Sequence, residues 1–239
     1  MTTLADVQRL QSANAAVVDL ARADLSRFLA GVSVTGEALR DALIEFMPTL
    51  VSTYGQVTAA AAAEWYEQVR GKAVGGGFRA ALAELDQSAE VVHAVRYAAG
   101  NFFTDTPQKG TDFLSGALQR YVLQPSRETI TQNVRRDRSK PRFGRVPSGV
   151  KTCAYCVFLA SRGFTYSSEA KADAAYHNDC KCIPTPTWDD AVEGYSHESY
   201  YDMYSAARDA APSGDMKEIL SQMRQLYPDT LTDGIVSVL

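Results

Sequence analysis

A chain of 239 residues, 46 % hydrophobic and 22 % charged, can bury a sizeable core, which excludes wholesale disorder and fibrous repeats. Twenty-four Lys and Arg against 28 Asp and Glu leave a net charge of -4, so any basic site must be local rather than a property of the whole surface. No stretch approaches the roughly 18 consecutive apolar residues of a membrane span. Met1 to Gln11 also lacks a basic region followed by a hydrophobic one. The sequence therefore predicts a soluble protein made in the cytoplasm, with no membrane partner and no small-molecule substrate.

The first 140 residues read as helices. Val7, Leu10, Ala13, Val17, Leu20 and Phe28 recur mostly at three and four residues and predict one amphipathic helix, ended by Gly31 and Thr35-Gly36. A second pattern runs through Leu39, Leu43, Phe46, Leu50, Tyr54, Val57, Ala61 and Trp65, with a kink expected at Pro48. Gly75-Gly76-Gly77 reads as a hinge, since no strand precedes it and no Gly-Lys-Ser/Thr follows it. A third helix is expected from about Arg79 to Phe103 on Leu82, Leu85, Ala89, Val92, Ala99 and Phe102. His93 lies on it without a Cys or His at helical spacing and reads as an ordinary helix residue. A fourth stretch on Phe113, Leu114, Leu118 and Tyr121 is expected to break at Pro125 and restart at Ser126-x-x-Thr129.

Ser139, Pro141, Gly144, Pro147, Ser148 and Gly149 then end the helical regime, and short apolar runs alternate with turn residues up to Trp188. Pro184-Thr-Pro-Thr-Trp188 must be extended, because each proline disfavours helix at the residue before it. From Asp189 to Leu239, ten acidic residues face three basic ones, a charge of -7. This tail holds a tyrosine cluster, Tyr195, Tyr200, Tyr201 and Tyr204, and a helix expected from Ser213 to Leu226; by composition it is a docking arm or a partly ordered terminus. The expected organisation is a helical region over 1–140, a small module over 141–188 and an acidic tail over 189–239. The fold class is mainly α, with a zinc-stapled α+β module and a partly helical tail.

All four cysteines lie in that module, as Cys153-Ala-Tyr-Cys156, then 20 residues, then His177-Asn-Asp-Cys180-Lys-Cys182. A Cys-x-x-Cys turn aims two thiolates into one tetrahedral site, and a second short cluster completes the soft donor set that zinc prefers. Five candidates compete for four places. If Lys181 continues a strand, Cys180 and Cys182 face opposite sides, leaving one residue outside the ligand set. A module of about 45 residues buries little apolar surface, whereas a structural zinc contributes on the order of 10 kcal/mol to folding. With four protein ligands the metal keeps no open position and activates no water. Free or redox-active thiols and disulfides are weaker readings, since the cytosol keeps thiols reduced.

From Arg127 to Lys151, eight basic residues face two acids, a net of +6. Arg135, Arg136, Arg138, Lys140, Arg142 and Arg145 are the candidates to hold phosphate backbones or an acidic partner surface; a solvated helix end is the plain alternative. His177-Asn178 beside basic residues superficially fits a His-Asn-His nuclease, but that chemistry needs a second histidine nearby, and none occurs between His93 and His177. No elbow motif, lone reactive cysteine or paired carboxylate stands out, so no enzymatic activity is expected.

Arg145-Val-Pro-Ser-Gly-Val-Lys-Thr-Cys153-Ala-Tyr-Cys156-Val-Phe-Leu-Ala-Ser-Arg162-Gly163-Phe-Thr-Tyr166, followed by Tyr176-His177-Asn-Asp-Cys180-Lys-Cys182-Ile-Pro184, resembles the phage Mu F-like minor head protein family. The similarity covers roughly 127–188, and a long helical part before this module is also that family's layout. The resemblance implies a minor capsid protein of a tailed bacteriophage, held on the portal inside the head and engaged in head assembly and in DNA packaging or delivery. It implies the portal as partner, with scaffold, major capsid protein or packaged DNA as further contacts, and a place in the virion after synthesis in the bacterial host cytoplasm. The family's Cys-x-x-Cys falls on Cys153 and Cys156, and its His-x-x-Cys-x-Cys on His177, Cys180 and Cys182. Gly163 is expected to stop a short helix that starts at the knuckle, and Arg162 to bond last-turn carbonyls or a partner. About 50 residues follow Trp188, which leaves no room for the toxin or protease domains some members carry. The rival reading from another class is a zinc-knuckle nucleic-acid-binding protein with no capsid role.

Overall fold

A computed structural model describes residues 1–104, 106–148, 151–165 and 176–232. Four long helices come first: α1 (Leu4–Gly31), α2 (Gly36–Val74), α3 (Ser88–Phe102) and α4 (Pro107–Arg136). They are followed by β1 (Arg142–Val146), β2 (Thr152–Cys153), α5 (Ala154–Ala160), β3 (Ile183–Thr187), α6 (Glu198–Ala210), α7 (Met216–Leu226) and β4 (Leu231–Thr232). The chain is mainly helical with a small β component, as its periodicity predicts.

Helix α1 starts in a capping box: the Thr3 side chain accepts from the Asp6 amide, and the Asp6 carboxylate accepts from the Thr3 amide, each at 3.2 Å. Its buried stripe is Val7, Leu10, Asn14, Val18, Ala21 and Leu25, whereas Leu20 is 59 % exposed. Beyond Leu10 the stripe therefore departs from the predicted one. The cause is Asn14, a polar residue turned inward because its amide donates to Ser126 Oγ on α4 at 3.1 Å.

The expected break at Pro125 does not occur, and α4 runs through it. Proline cannot supply the amide that would bond the carbonyl of Tyr121, four residues earlier. Gln87 supplies the missing donor, its Nε2 standing 3.0 Å from that oxygen. The ring also has a seat: a Cβ on Gly55 of α2 would lie 3.0 Å from Pro125 Cγ, so glycine lets α2 and α4 approach there. Pro48 is likewise contained within α2.

The expected third helix begins nine residues late, at Ser88 rather than Arg79. The segment before it crosses α2 and α4 without helical structure, its backbone served by their side chains. Glu67 accepts from the Ala80 amide at 2.9 Å, Thr129 Oγ1 from the Ala83 amide at 3.0 Å, and Asn133 both accepts from the Ala81 amide and donates to the Ala81 carbonyl. These partners lie 13 to 52 residues away, which is why local periodicity misreads the segment.

One apolar core fills the space among the four helices, around Leu43, Met47, Val95, Leu114 and Leu118. A second joins α1, α2 and α4 (Val7, Leu10, Tyr66, Val69, Ile130) to Phe143 and Val146 of β1, Phe164, Ile183 of β3 and Val192. Strands β1 and β3 pair antiparallel from Arg142↔Thr187 to Val146↔Ile183, with Pro184 and Pro186 in β3. The extended course expected there is observed. Helix α5 rests on α6 and α7 through Val157, Phe158, Leu159, Ala207, Ile219 and Met223. Over 198–226 the acidic tail is a packed helix pair, and of its tyrosines Tyr200 and Tyr204 join that packing while Tyr201 is exposed: Tyr204 lies 5.4 Å from Phe158, ring to ring. After α7 the chain returns, pairing β4 in parallel with β2 beside the first cysteine.

Candidate metal centre

The centre is assembled where β2 runs into α5. Cys153 is the N-cap of α5, and its sulfur accepts from the Cys156 amide at 3.2 Å, so the Cys-x-x-Cys turn is also a helix start. Helix α5 ends at Ala160, and Gly163 follows with φ +61, the stop expected of it. Arg162 lies over the Phe158 ring at 4.4 Å.

The second half arrives over 176–182. The Cys180 amide donates to the His177 carbonyl at 3.2 Å, closing a tight turn in which Asp179 takes φ +62. The condition under which Cys180 and Cys182 would face opposite sides, a strand running through Lys181, is not met. The strand begins only at Ile183, and the two sulfurs converge to 3.3 Å. Cys156 Sγ lies 3.5 Å from Cys180 Sγ, and Cys153 Sγ lies 2.8 Å from His177 Nε2. The donors form two groups of three, Cys153–Cys156–His177 and Cys156–Cys180–Cys182, each with its ligand atoms within 4.8 Å of one another. Cys156 belongs to both. All four cysteines are free and buried.

This donor set fits a metal ion. Bonds of about 2.3 Å to a tetrahedral zinc put neighbouring sulfurs about 3.8 Å apart. The sulfur pairs stand slightly closer than that, within a small adjustment. His177 is held for the role: its Nδ1 lies 2.6 Å from the Asn178 carbonyl, which as acceptor fixes the proton there and leaves Nε2 toward the sulfurs. Electrostatics favour anionic sulfur at two positions. Hydrogen bonds with Cys156 and His177 outweigh burial and bring Cys153 down to about 5. Cys182 is held well below the ordinary thiol range by hydrogen bonds with Cys156 and Cys180, helped by the charges of Arg145 and Arg127. Cys156 is pushed up by its three thiol neighbours.

Three residues of the helical region hold the metal-site loop. Gln119 and Arg127, both buried on α4, donate to the Cys180 carbonyl at 3.3 and 2.5 Å. Arg22 of α1 binds Gln119 at 2.7 Å and Asp179 at 3.0 Å. A Cβ on Gly116 would stand 3.0 Å from Asn178 Cβ, so glycine admits the loop against α4. Sequence reasoning does not find these residues; Arg127 reads there only as one more charge of the basic run.

The basic candidates separate. Arg135, Arg136, Arg138, Lys140 and Arg142 are exposed around the α4–β1 turn, with Arg135 3.9 Å from Glu128 and Arg142 paired with Asp190. Arg145 is not on that surface. It is 3 % exposed, and its Nη1 stands 3.5 Å from Cys182 Sγ, so it acts on the sulfur cluster. Gly149, Val150 and Tyr166 lie outside the described residues.

A family model described as VG15 protein matches residues 1–207. The chain belongs to that family. No curated protein and no solved structure matches it. The match runs from the start of α1 into α6, so the helices, the cysteine cluster and the side chains that join them fall within one family unit. Membership places the chain among phage-associated viral gene products. Among its described residues, no helix is long and apolar enough to cross a membrane.

Proposed function

We propose that this protein is a minor head protein of a tailed bacteriophage, of the Mu F-like kind, which docks on the portal inside the capsid and assists head assembly and DNA packaging or delivery. The observation that carries the reading is the convergence of the whole Cys-x-x-Cys and His-x-x-Cys-x-Cys pattern on one buried centre, clamped by α1 and α4. The Mu F-like motif is the same set of residues, and a phage-associated family is where such a protein belongs.

Zinc is the metal that thiolate-rich tetrahedral donors favour, and bound there it would supply a structural staple. Four of Cys153, Cys156, His177, Cys180 and Cys182 would hold it. The role is non-enzymatic, in keeping with a His177 ring whose two nitrogens are engaged by Asn178 and Cys153. The exposed Arg135, Arg136, Arg138, Lys140 and Arg142 offer a surface for packaged DNA or for an acidic face of the portal, the scaffold or the major capsid protein. The site of action is the interior of the virion near the portal, after synthesis in the host cytoplasm.

Quantitative mass spectrometry of purified particles tests this. A few to a few tens of copies per particle, retained after external proteolysis, is the expected result. Absence from every particle overturns it in favour of a soluble nucleic-acid binder.

A further inference from the structure

Between α3 and the start of α4 on one side and the metal-site loop on the other lies a cleft of about 800 Å³, floored by Cys153, Cys156, His177 and Cys180. Its lining is unlike the rest of an acidic chain. Lys109 on α4, Lys151 before β2 and Lys181 within the cysteine pattern all face solvent along it. Among the described residues no carboxylate pairs with any of the three. The acids of the cleft are already engaged, Asp179 by Arg22 and Asp112 by Gln108. One wall carries an aromatic pair, Tyr97 and Phe113, with ring centroids 4.7 Å apart, and Tyr97 is 57 % exposed.

An apolar ligand would leave three lysines unused, and a simple anion would leave the exposed tyrosine unused. A ligand that repeats a phosphate and a flat ring along its length uses both, and in a cleft of this volume it must be a single strand, since a duplex is too wide to enter. From this geometry we propose that the cleft binds single-stranded nucleic acid. Backbone phosphates meet Lys109, Lys151 and Lys181, and a base stacks on Tyr97. The site is separate from the exposed basic turn after α4, and it stands on its own lining whether or not the protein docks on a portal.

The test is fluorescence anisotropy of a fluorescein-labelled twelve-residue oligothymidylate with the full, zinc-loaded chain. Three phosphate contacts on a single strand predict a log–log salt slope near -2, so affinity should fall about 20-fold between 50 and 200 mM salt. Tyr97→Ala should weaken binding about tenfold and Tyr97→Phe should restore it. The triple Lys109→Ala, Lys151→Ala, Lys181→Ala variant should abolish both binding and salt dependence. These side chains are exposed, and unchanged circular dichroism and zinc content will verify that each variant is folded. Arg135→Ala with Arg138→Ala, on the separate basic turn, should lower the strand's affinity less than the triple lysine variant does. Equal affinity for a duplex or for an acidic peptide of the same charge, loss of binding only in the Arg135 and Arg138 variant, or no binding at 50 mM salt each overturns the proposal. None of these outcomes bears on the particle count, so the two readings fail separately.

Discussion

Arg127 and Arg145 hold the ring of Tyr176 between them, each guanidinium carbon 3.8 Å from the ring centroid. Two planar cations cannot share that height over one face, so the ring is clamped from both sides, one residue before His177. The clamp joins α4 to β1 and fixes the entry to the metal-site loop, while the same arginines reach the Cys180 carbonyl and the Cys182 sulfur.

Removing one jaw should therefore loosen the metal, not only the fold. Arg127→Ala leaves the Cys180 carbonyl with the longer Gln119 bond alone and strips one face of Tyr176. We expect a loss of about 2 kcal/mol in urea unfolding. Zinc affinity should fall at least tenfold in a competition titration. A variant with wild-type zinc affinity would show that the clamp does not position the ligands.

Cys156 is the donor common to both groups of three, so the ligand variants should rank. Cys156→Ala is expected to abolish stoichiometric metal binding, read as metal per chain after gel filtration. His177→Ala or Cys182→Ala should retain partial loading, because each leaves one of the two groups of three intact, whereas loss of Cys156 breaks both. Chelation of the wild-type protein should expose 153–160 and 176–182 to proteolysis while the helical core around Leu114 and Met47 persists. Equal loss in all three variants would contradict the central place of Cys156.

The legible and illegible parts of this protein divide by the range of the interactions. The cysteine pattern is readable because its chemistry is written in the residue types themselves. The helices are readable wherever their buried faces are apolar, as from Val7 to Leu10, and the stripe is lost at Asn14, whose burial depends on Ser126 over a hundred positions away. The segment before Ser88 has helical periodicity but gives it up to Glu67, Thr129 and Asn133. Arg127 and Arg145 sit in a basic run and read there as surface charge, for a phosphate backbone, an acidic partner or solvent. Only the approach of Tyr176 and the sulfurs turns them inward, and nothing local in the sequence encodes that.

Asp137, at the end of α4, should make stability depend on acid. Burial alone would raise its pKa. Hydrogen bonds from the Ser139 hydroxyl and amide and from Arg70 Nε at 2.9 Å outweigh this and hold it below the usual carboxylate value. A depressed native pKa contributes stability that is complete above the unfolded value, near 4, and is lost as pH falls through the native one. Asp137→Asn should cost about 2 kcal/mol at neutral pH and flatten the decline of unfolding free energy below pH 4, measured by urea titration across pH. An unchanged acid limb would assign that dependence to other carboxylates.

Gly144 of β1 is required by space. A Cβ there would stand 2.7 Å from the Gly163 carbonyl oxygen and 2.9 Å from Phe164, and the carbonyl is backbone that cannot swing aside. Gly144→Ala should destabilise by about 2 kcal/mol, lowering the melting temperature by about 6 °C, although alanine is ordinarily the better residue outside a turn. A neutral result would mean that the loop after α5 yields freely.

The continuity of α4 through Pro125 rests on Gln87, and that dependence can be isolated. In the native chain Gln87→Ala leaves the Tyr121 carbonyl without its donor, at a cost of about 1 kcal/mol. In a Pro125→Ala background the new amide at 125 can bond the same carbonyl within the helix, so Gln87→Ala should cost little more. Pro125→Ala itself loses the ring seated against Gly55 while gaining a helical hydrogen bond, so its sign is not the test. The test is the coupling: a double-mutant cycle in denaturant should give an interaction energy of about 0.5–1 kcal/mol. Additive effects would show that water serves the Tyr121 carbonyl as well as Gln87 does, and that α4 passes its proline without help from the segment leading into α3.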